Sequence, residues 1–276
     1  MSDTLLSVKD IRISFNGAAG PFDAVRGVSF DLGREKLGIV GESGSGKSMT
    51  GRAIMRLTPP SAMVKAEHIQ LGDVDILHAS EKTMYGIRGR RIGLIMQDPK
   101  YSLNPVVSVG EQIAEAYRIH ARATSSQARE KAVAMLGAVQ IRDPERVYRM
   151  YPHEMSGGMG QRIMIAMMLV SEPEILIADE ATSALDVTVR LEILNLLNEL
   201  VEKRGLGLIF ISHDLNLVRR FCDRVLIMYR GRVVETLKAS ELGQATHPYT
   251  RGLLEAMPRI HASRKRLPIL QRDEAW

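Results

Sequence analysis

The chain holds a single cysteine, Cys222, in 276 residues. No internal disulfide can form, which suits a protein kept in a reducing compartment. No apolar run approaches the ~20 residues that a membrane-spanning helix needs. The start, Met1-Ser2-Asp3-Thr4, lacks the basic stretch and apolar block of a secretory signal, so export is not expected. The seven histidines are scattered, and none pairs with another at metal-ligand spacing. Internal repeats, heptad arrays and low-complexity segments are also missing. What is present is an ordinary globular composition, 45% hydrophobic and 25% charged, at a length for one or two folded units. The net charge of +5 is modest. Part of it sits late in the chain, at Arg259, Arg264, Lys265, Arg266 and Arg272. Such a stretch is read as a solvated basic tail, with nucleic acid or an anionic membrane surface as the partners its charge would admit.

Hydrophobic periodicity then divides the chain. Leu6 to Phe15 alternates apolar and polar residues with one slip near Asp10, and Val25 to Leu32 does much the same. Both read as half-buried antiparallel strands joined by Asn16–Pro21. Lys36–Val40 is a short strand, and a helix is expected from Lys47 to about Leu57, stopped by Pro59-Pro60. Ile69–Ile76 suggests a further β segment turning at Gly72-Asp73, and Ile92–Met96 a buried parallel strand. Helices are expected over Ser108–Arg122, Ser125–Gln140 and Ser156–Ser171, with Ser108 and Glu111 forming a capping box. Strands Ile175–Ala178 and Gly207–Ser212 flank a helix at Leu191–Lys203, and Tyr229-Arg230-Gly231 turns a hairpin.

The most specific pattern is Gly41-Glu42-Ser43-Gly44-Ser45-Gly46-Lys47-Ser48, directly after an apolar strand. Gly41, Gly44 and Gly46 permit tight turns that aim successive N–H groups at an anion. The helix that follows adds partial positive charge at its N-terminus. Lys47 supplies a full charge for the β- and γ-phosphates, and the Ser48 hydroxyl suits Mg²⁺. Ile175–Ala178 ends in Asp179 and Glu180. Ligands of parallel sheets bind at the C-terminal ends of strands. Asp179 is therefore read as reaching Mg²⁺, and Glu180 as polarising a water for in-line attack on the γ-phosphate. Ser156-Gly157-Gly158-Met159-Gly160-Gln161 opens a helix capped by Ser156, with N–H groups open to an anion. The methionines Met159, Met164, Met167 and Met168 are read as packing.

These segments, followed by Ser183-Ala184-Leu185-Asp186 and by His213 after a strand, occur in the order found in ATP-binding-cassette (ABC) ATPases. The chain resembles that family over about residues 5–258. The resemblance implies an α/β P-loop NTPase core with an N-terminal antiparallel β subdomain and an inserted helical subdomain. On that division residues 1–98 and 174–255 form the ATP-binding core, 99–173 the helical subdomain, and 256–276 a short basic tail. It also implies ATP with Mg²⁺ as cofactors, and two domains that sandwich two ATP molecules. Each γ-phosphate would sit between the Lys47 loop of one domain and the segment of the other that carries Ser156, Gly157, Gly158 and Gln161. Phe15 resembles the aromatic that stacks on adenine, with Phe22 as a competitor. Gln97 resembles the glutamine that touches Mg²⁺ and the attacking water, Asp186 the residue that communicates across the dimer, and His213 the histidine at the γ-phosphate.

Gln97-Asp98-Pro99, Ser102-Leu103-Asn104-Pro105, Ala184–Val189 and His247-Pro248-Tyr249-Thr250 are similar to the peptide/nickel importer branch. Met155–Met159 is closer to its first ATPase subunit. The resemblance then implies a peripheral subunit on the cytoplasmic face of a bacterial inner membrane. Its partners would be a second ABC ATPase, identical or not, two integral membrane permease subunits and, indirectly, an extracytoplasmic solute-binding protein, without nucleic acid. The membrane partner would dock near Gln97–Pro105. Three departures stand out: Ala181 where proline is usual, Ser183 where threonine is common, and no cysteine cluster for an iron–sulfur centre. One cassette without heptads argues against a soluble cassette ATPase acting on ribosomes or DNA, and a P-loop kinase or GTPase leaves Ser156 and His213 unexplained.

Overall fold

A computed structural model describes residues 4–17, 20–97, 102–183 and 185–256. Asp98, Pro99, Ala184 and the basic tail beyond 256 lie outside the described residues. In chain order the elements are β1 (Leu6–Gly17), β2 (Gly20–Leu32), β3 (Lys36–Val40), α1 (Lys47–Ile54), β4 (Ala62–Lys65), β5 (His68–Leu71) and β6 (Val74–Asp75). Then come α2 (Glu81–Tyr85), β7 (Ile92–Ile95), α3 (Val109–His120), α4 (Ser125–Ala138), α5 (Pro144–Tyr148), α6 (Gly157–Leu169), β8 (Ile175–Asp179) and α7 (Val187–Arg204). The chain closes with β9 (Gly207–Ser212), α8 (Leu215–Phe221), β10 (Arg224–Tyr229), β11 (Arg232–Lys238) and α9 (Pro248–Ala256). Two compact units result: one joins the residues up to Leu77 with those from Phe210, and the other runs His78–Ile209.

In the first unit an antiparallel sheet runs β2-β1-β5-β6, with β4 also paired to β1. Leu6, Val8, Ile11 and Ile13 of β1 and Val25, Val28, Phe30 and Leu32 of β2 are buried. Each such side chain, fully buried, contributes about 1.5–3 kcal/mol. The slip in the alternation near Asp10 is a bulge: the β1–β2 register shifts between Val8 and Ile11, and Asp10 takes φ 51°. Beside this sheet lies the ladder that carries the loop: β3 pairs parallel with β10, and β10 antiparallel with β11. The register sets Val40 opposite Ile227, so β3 and β10 end side by side.

In the second unit β7 and β8 pair in parallel, Ile95 opposite Ala178, and all five residues of β8 are buried. Helices α3, α4 and α7 pack against α6, whose Ile163, Met164, Ile165 and Ala166 are fully buried, and α5 packs on α3 and α4. Of the four methionines read as packing, Met164 is fully buried and Met159, Met167 and Met168 are partly so.

Several boundaries differ from the pattern, each for a local reason. The Ser108–Glu111 capping box does not form: Ser108 occupies the N-cap position of α3 without a side-chain bond. Glu111 instead accepts from the buried Tyr148 hydroxyl at 2.6 Å, an interaction between helices that outcompetes the local one. The box sits one helix later, where Thr124 and Gln127 cap α4 reciprocally. Helix α7 starts four residues before Leu191, because Asp186 caps it. Helices α2, α5, α8 and α9 and strand β4 were not legible, being short or marked by no strong period.

Candidate functional site

The phosphate-loop sequence folds as a tight turn between β3 and α1. Ser45 N–H donates to the Glu42 carbonyl at 3.2 Å, closing the turn. Gly46 takes φ 97° at the N-cap of α1, which glycine adopts without penalty. A Cβ on Gly41 would stand 2.1 Å from the Met228 carbonyl oxygen, and one on Gly46 2.7 Å from that of Ala24. The loop therefore has no room for side chains at these two positions. Lys47 is 5% exposed, and its ammonium donates to the carbonyls of Gly41 and Glu42, both at 2.9 Å. The cation is thus gathered under the turn, within the loop it would serve. Ser45 Oγ is buried without a hydrogen-bond partner among the described residues, a polar atom that a bound anion or water would satisfy. Gly44 and Ser43 are exposed, and Ser48 is partly so, in the first turn of α1.

A cavity of about 960 Å³ opens along this loop. Its wall includes Gly41–Ser45, His213 just beyond β9, Tyr229 and Arg230 at the end of β10, and Leu253 of α9. The loop and His213, far apart in sequence, therefore share one cavity. On β1, Phe15 is half-buried and stacks on Phe22 of β2, with ring centroids 5.3 Å apart and planes at 16°. Phe22 is the more open ring of the pair, 55% exposed.

In the second unit the parallel pair β7 and β8 brings Gln97, Asp179 and Glu180 to one end of two neighbouring strands. Asp179 is 8% exposed and Gln97 is exposed. Glu180 takes φ 50°, a left-handed conformation that costs a non-glycine residue free energy. Its carbonyl accepts from both Ser183 N–H and Ser183 Oγ at 3.0 Å, which holds the turn. Among the described residues no three His, Cys, Asp or Glu side chains converge as a metal site. A Mg²⁺ that arrives with nucleotide phosphates and keeps its waters needs no such cluster. The Ser48 hydroxyl and the Asp179 carboxylate are hard oxygen donors of the kind it takes.

A third cluster also belongs to the second unit. Ser156 caps α6, its hydroxyl accepting from Met159 N–H at 3.4 Å. Gly158 faces the start of α7 so closely that a Cβ would lie 2.7 Å from Val189 Cγ1, and a Cβ on Gly157 would touch Leu185. The Ser156 and Asp186 segments are therefore neighbours. Ser156, Gly157 and Asp186 are exposed, whereas Gln161 is buried, its Nε2 without a partner among the described residues.

The ABC transporter family matches residues 25–183, more than half of the chain and including both the phosphate loop and the Asp179-Glu180 turn. The chain belongs to the ABC transporter family. This cassette is 48% identical over 271 residues to a probable peptide ABC transporter ATP-binding protein of Sinorhizobium fredii, covering 97% of this chain and 81% of that one. It is 47% identical to an oligopeptide transport ATP-binding protein of Bacillus subtilis, over 94% of this chain and 73% of the relative. The dimeric, post-hydrolysis form of the ATP-binding cassette MJ0796 bound to ADP and Pi superposes with a TM-score of 0.75 at 26% identity, over 85% of this chain and 98% of that one. The α/β ABC ATPase fold is thereby shown. The pattern reading passed over Tyr229, Arg230 and Tyr249 as parts of the loop's surroundings. Tyr249 stood within the noted His247–Thr250 segment, but only as a mark of kinship.

Proposed function

We propose that this chain is the ATP-hydrolysing subunit of an importer for small solutes of the peptide class, with di- and oligopeptides ahead of nickel chelates. The observation that carries the reading is the cavity that Gly41–Ser45 of the glycine-rich loop share with His213. The peptide-transport relatives favour an importer over a soluble cassette acting on ribosomes or DNA. No helix among the described residues is long and apolar enough to cross a membrane. We place the chain at the cytoplasmic face of a bacterial inner membrane, held there by two permease subunits, with a solute-binding protein delivering cargo from outside.

In this reading the backbone N–H groups of Gly44 to Ser48 and the Lys47 ammonium hold the β- and γ-phosphates, Glu42 and Ser43 shape the loop, and the Phe15–Phe22 pair offers an aromatic face to adenine. Glu180 orients a water in line with the γ-phosphorus. As that water's oxygen bonds to phosphorus, its proton passes to the Glu180 carboxylate and the bond to the bridging β,γ-oxygen breaks, leaving ADP and inorganic phosphate. His213 and Gln97 contact the γ-phosphate and the attacking water. Mg²⁺, held by Ser48, Gln97 and Asp179, would neutralise developing charge on the phosphate oxygens. A second ATPase would contribute its Ser156-Gly157-Gly158 helix start, with Gln161 behind it and Asp186 at the junction. The helical segment 99–173 would present that helix start. Closure on ATP and reopening after hydrolysis form a two-state switch biased by γ-phosphate contacts.

Lys47→Ala tests the assignment. It is expected to abolish ATP binding and turnover in the protein reconstituted with its membrane partners. Parent ATPase activity in that variant would refute the phosphate-loop reading.

A further inference from the structure

We propose that Tyr249, on α9 and 207 residues beyond Glu42, is a positioning residue that presets the phosphate loop before nucleotide arrives. Its hydroxyl accepts the Glu42 N–H at 3.1 Å. That N–H and the Gly41 carbonyl belong to one peptide group, which is planar and trans, so they point in opposite directions. The Gly41 carbonyl accepts from the Lys47 ammonium at 2.9 Å. Fixing the N–H end of the plane therefore fixes the aim of its oxygen, and with it the seat of the lysine.

The tyrosine is itself held rigidly. It is 0% exposed, and its ring packs on Tyr229 with centroids 4.4 Å apart and planes at 41°. Its helix is tied to β11 by Glu235, whose Oε1 accepts from Thr246 N–H at 2.8 Å, Thr246 Oγ1 at 3.1 Å and His247 N–H at 3.2 Å. Burial pushes the Glu235 carboxyl up, but the nearby Thr250 hydroxyl and these bonds from Thr246 and His247 bring it below its ordinary value. The far end of the turn is pinned as well: Gly231 N–H donates to the Ser45 carbonyl at 3.1 Å, and the Gly231 carbonyl accepts from Arg26 N–H at 2.7 Å. The loop thus spans two fixed points, one of them Tyr249. A preset loop spends less ordering entropy on binding, so the device acts on nucleotide affinity and leaves the chemical step alone.

The inference rests on the reading of Gly41–Ser48 as the nucleotide loop. The test compares the parent with Tyr249→Phe, which keeps the ring on Tyr229 and removes the hydroxyl that accepts from Glu42. ATP affinity is measured by calorimetric titration, and KM and kcat by phosphate release, in the assembled transporter. The dissociation constant and KM for ATP are expected to rise about threefold to tenfold, the effect of one lost hydrogen bond, with kcat at saturating ATP unchanged. Glu235→Gln, which loosens the anchor with Tyr249 intact, is expected to move both constants in the same direction by less. Parent-like constants in Tyr249→Phe overturn the proposal, as does a fall in kcat at constant KM, the mark of a merely structural residue. If Lys47→Ala still binds ATP, the loop assignment itself falls. If Lys47→Ala is dead while Tyr249→Phe matches the parent, only the role of Tyr249 falls.

Discussion

Asp186 caps a helix and is proposed to act at the dimer junction, and two substitutions separate the two roles. Its Oδ1 accepts the N–H groups of Thr188 and Val189, both at 3.0 Å, at the start of the 18-residue α7. Those are two of the four amides that a helix N-terminus leaves without internal partners. Asp186→Ala removes this acceptor and with it both bonds. The site is exposed, so water takes over part of the bonding and the loss stays on the scale of one cap, about 1 kcal/mol. For a chain of this size each kcal/mol moves the melting midpoint by about 2–4 °C, so the alanine variant should melt about 3 °C below the parent. Asp186→Asn keeps an oxygen acceptor and loses only the charge, a further few tenths of a kcal/mol that salt screens. It should melt within about 1 °C of the parent at moderate salt. Scanning calorimetry at two salt concentrations reads both, and ATPase turnover in the assembled transporter is measured alongside. If the carboxylate also signals between protomers, the asparagine variant loses turnover while keeping its stability. An alanine variant that melts with the parent, or an asparagine variant that falls as far as alanine in high salt, refutes the capping argument.

Glu180→Gln inherits the same φ 50° strain and removes only the charge, so it isolates the proposed base. It should bind ATP as the parent does and hydrolyse it at least ~100-fold more slowly, and a parent rate in single-turnover assays would count against the role. Gly110→Ala would place a methyl 2.1 Å from the Tyr148 ring, forcing α3 and α5 apart. It should cost about 1–3 kcal/mol in chemical denaturation, and an unchanged midpoint would show that the contact yields freely.

The phosphate loop, the carboxylates after β8 and the capped start of α6 were legible because their chemistry is local. A glycine run after a strand, two acids at a strand end and a serine before two glycines each carry their meaning within eight residues. Asp10 even announced its bulge as a slip in the alternation. The capping box at Ser108 and Glu111 misled for the opposite reason. Its local pattern was sound, but Tyr148, 37 residues away, took the glutamate. The start of α7 was missed because the hydrophobic period begins later than the cap that fixes the helix.

By itself, the sequence determined the fold class, the family and the position of the glycine-rich loop, since each depends on local patterns and on their order along the chain. Tertiary structure decided the loop's surroundings. Only folding brings His213 to the cavity of Gly41–Ser45 and sets the Tyr249 hydroxyl on the Glu42 amide. A hydrogen bond across 207 residues leaves no periodic trace in a sequence, because its partners are chosen by how β3, β10 and α9 pack and not by any local preference.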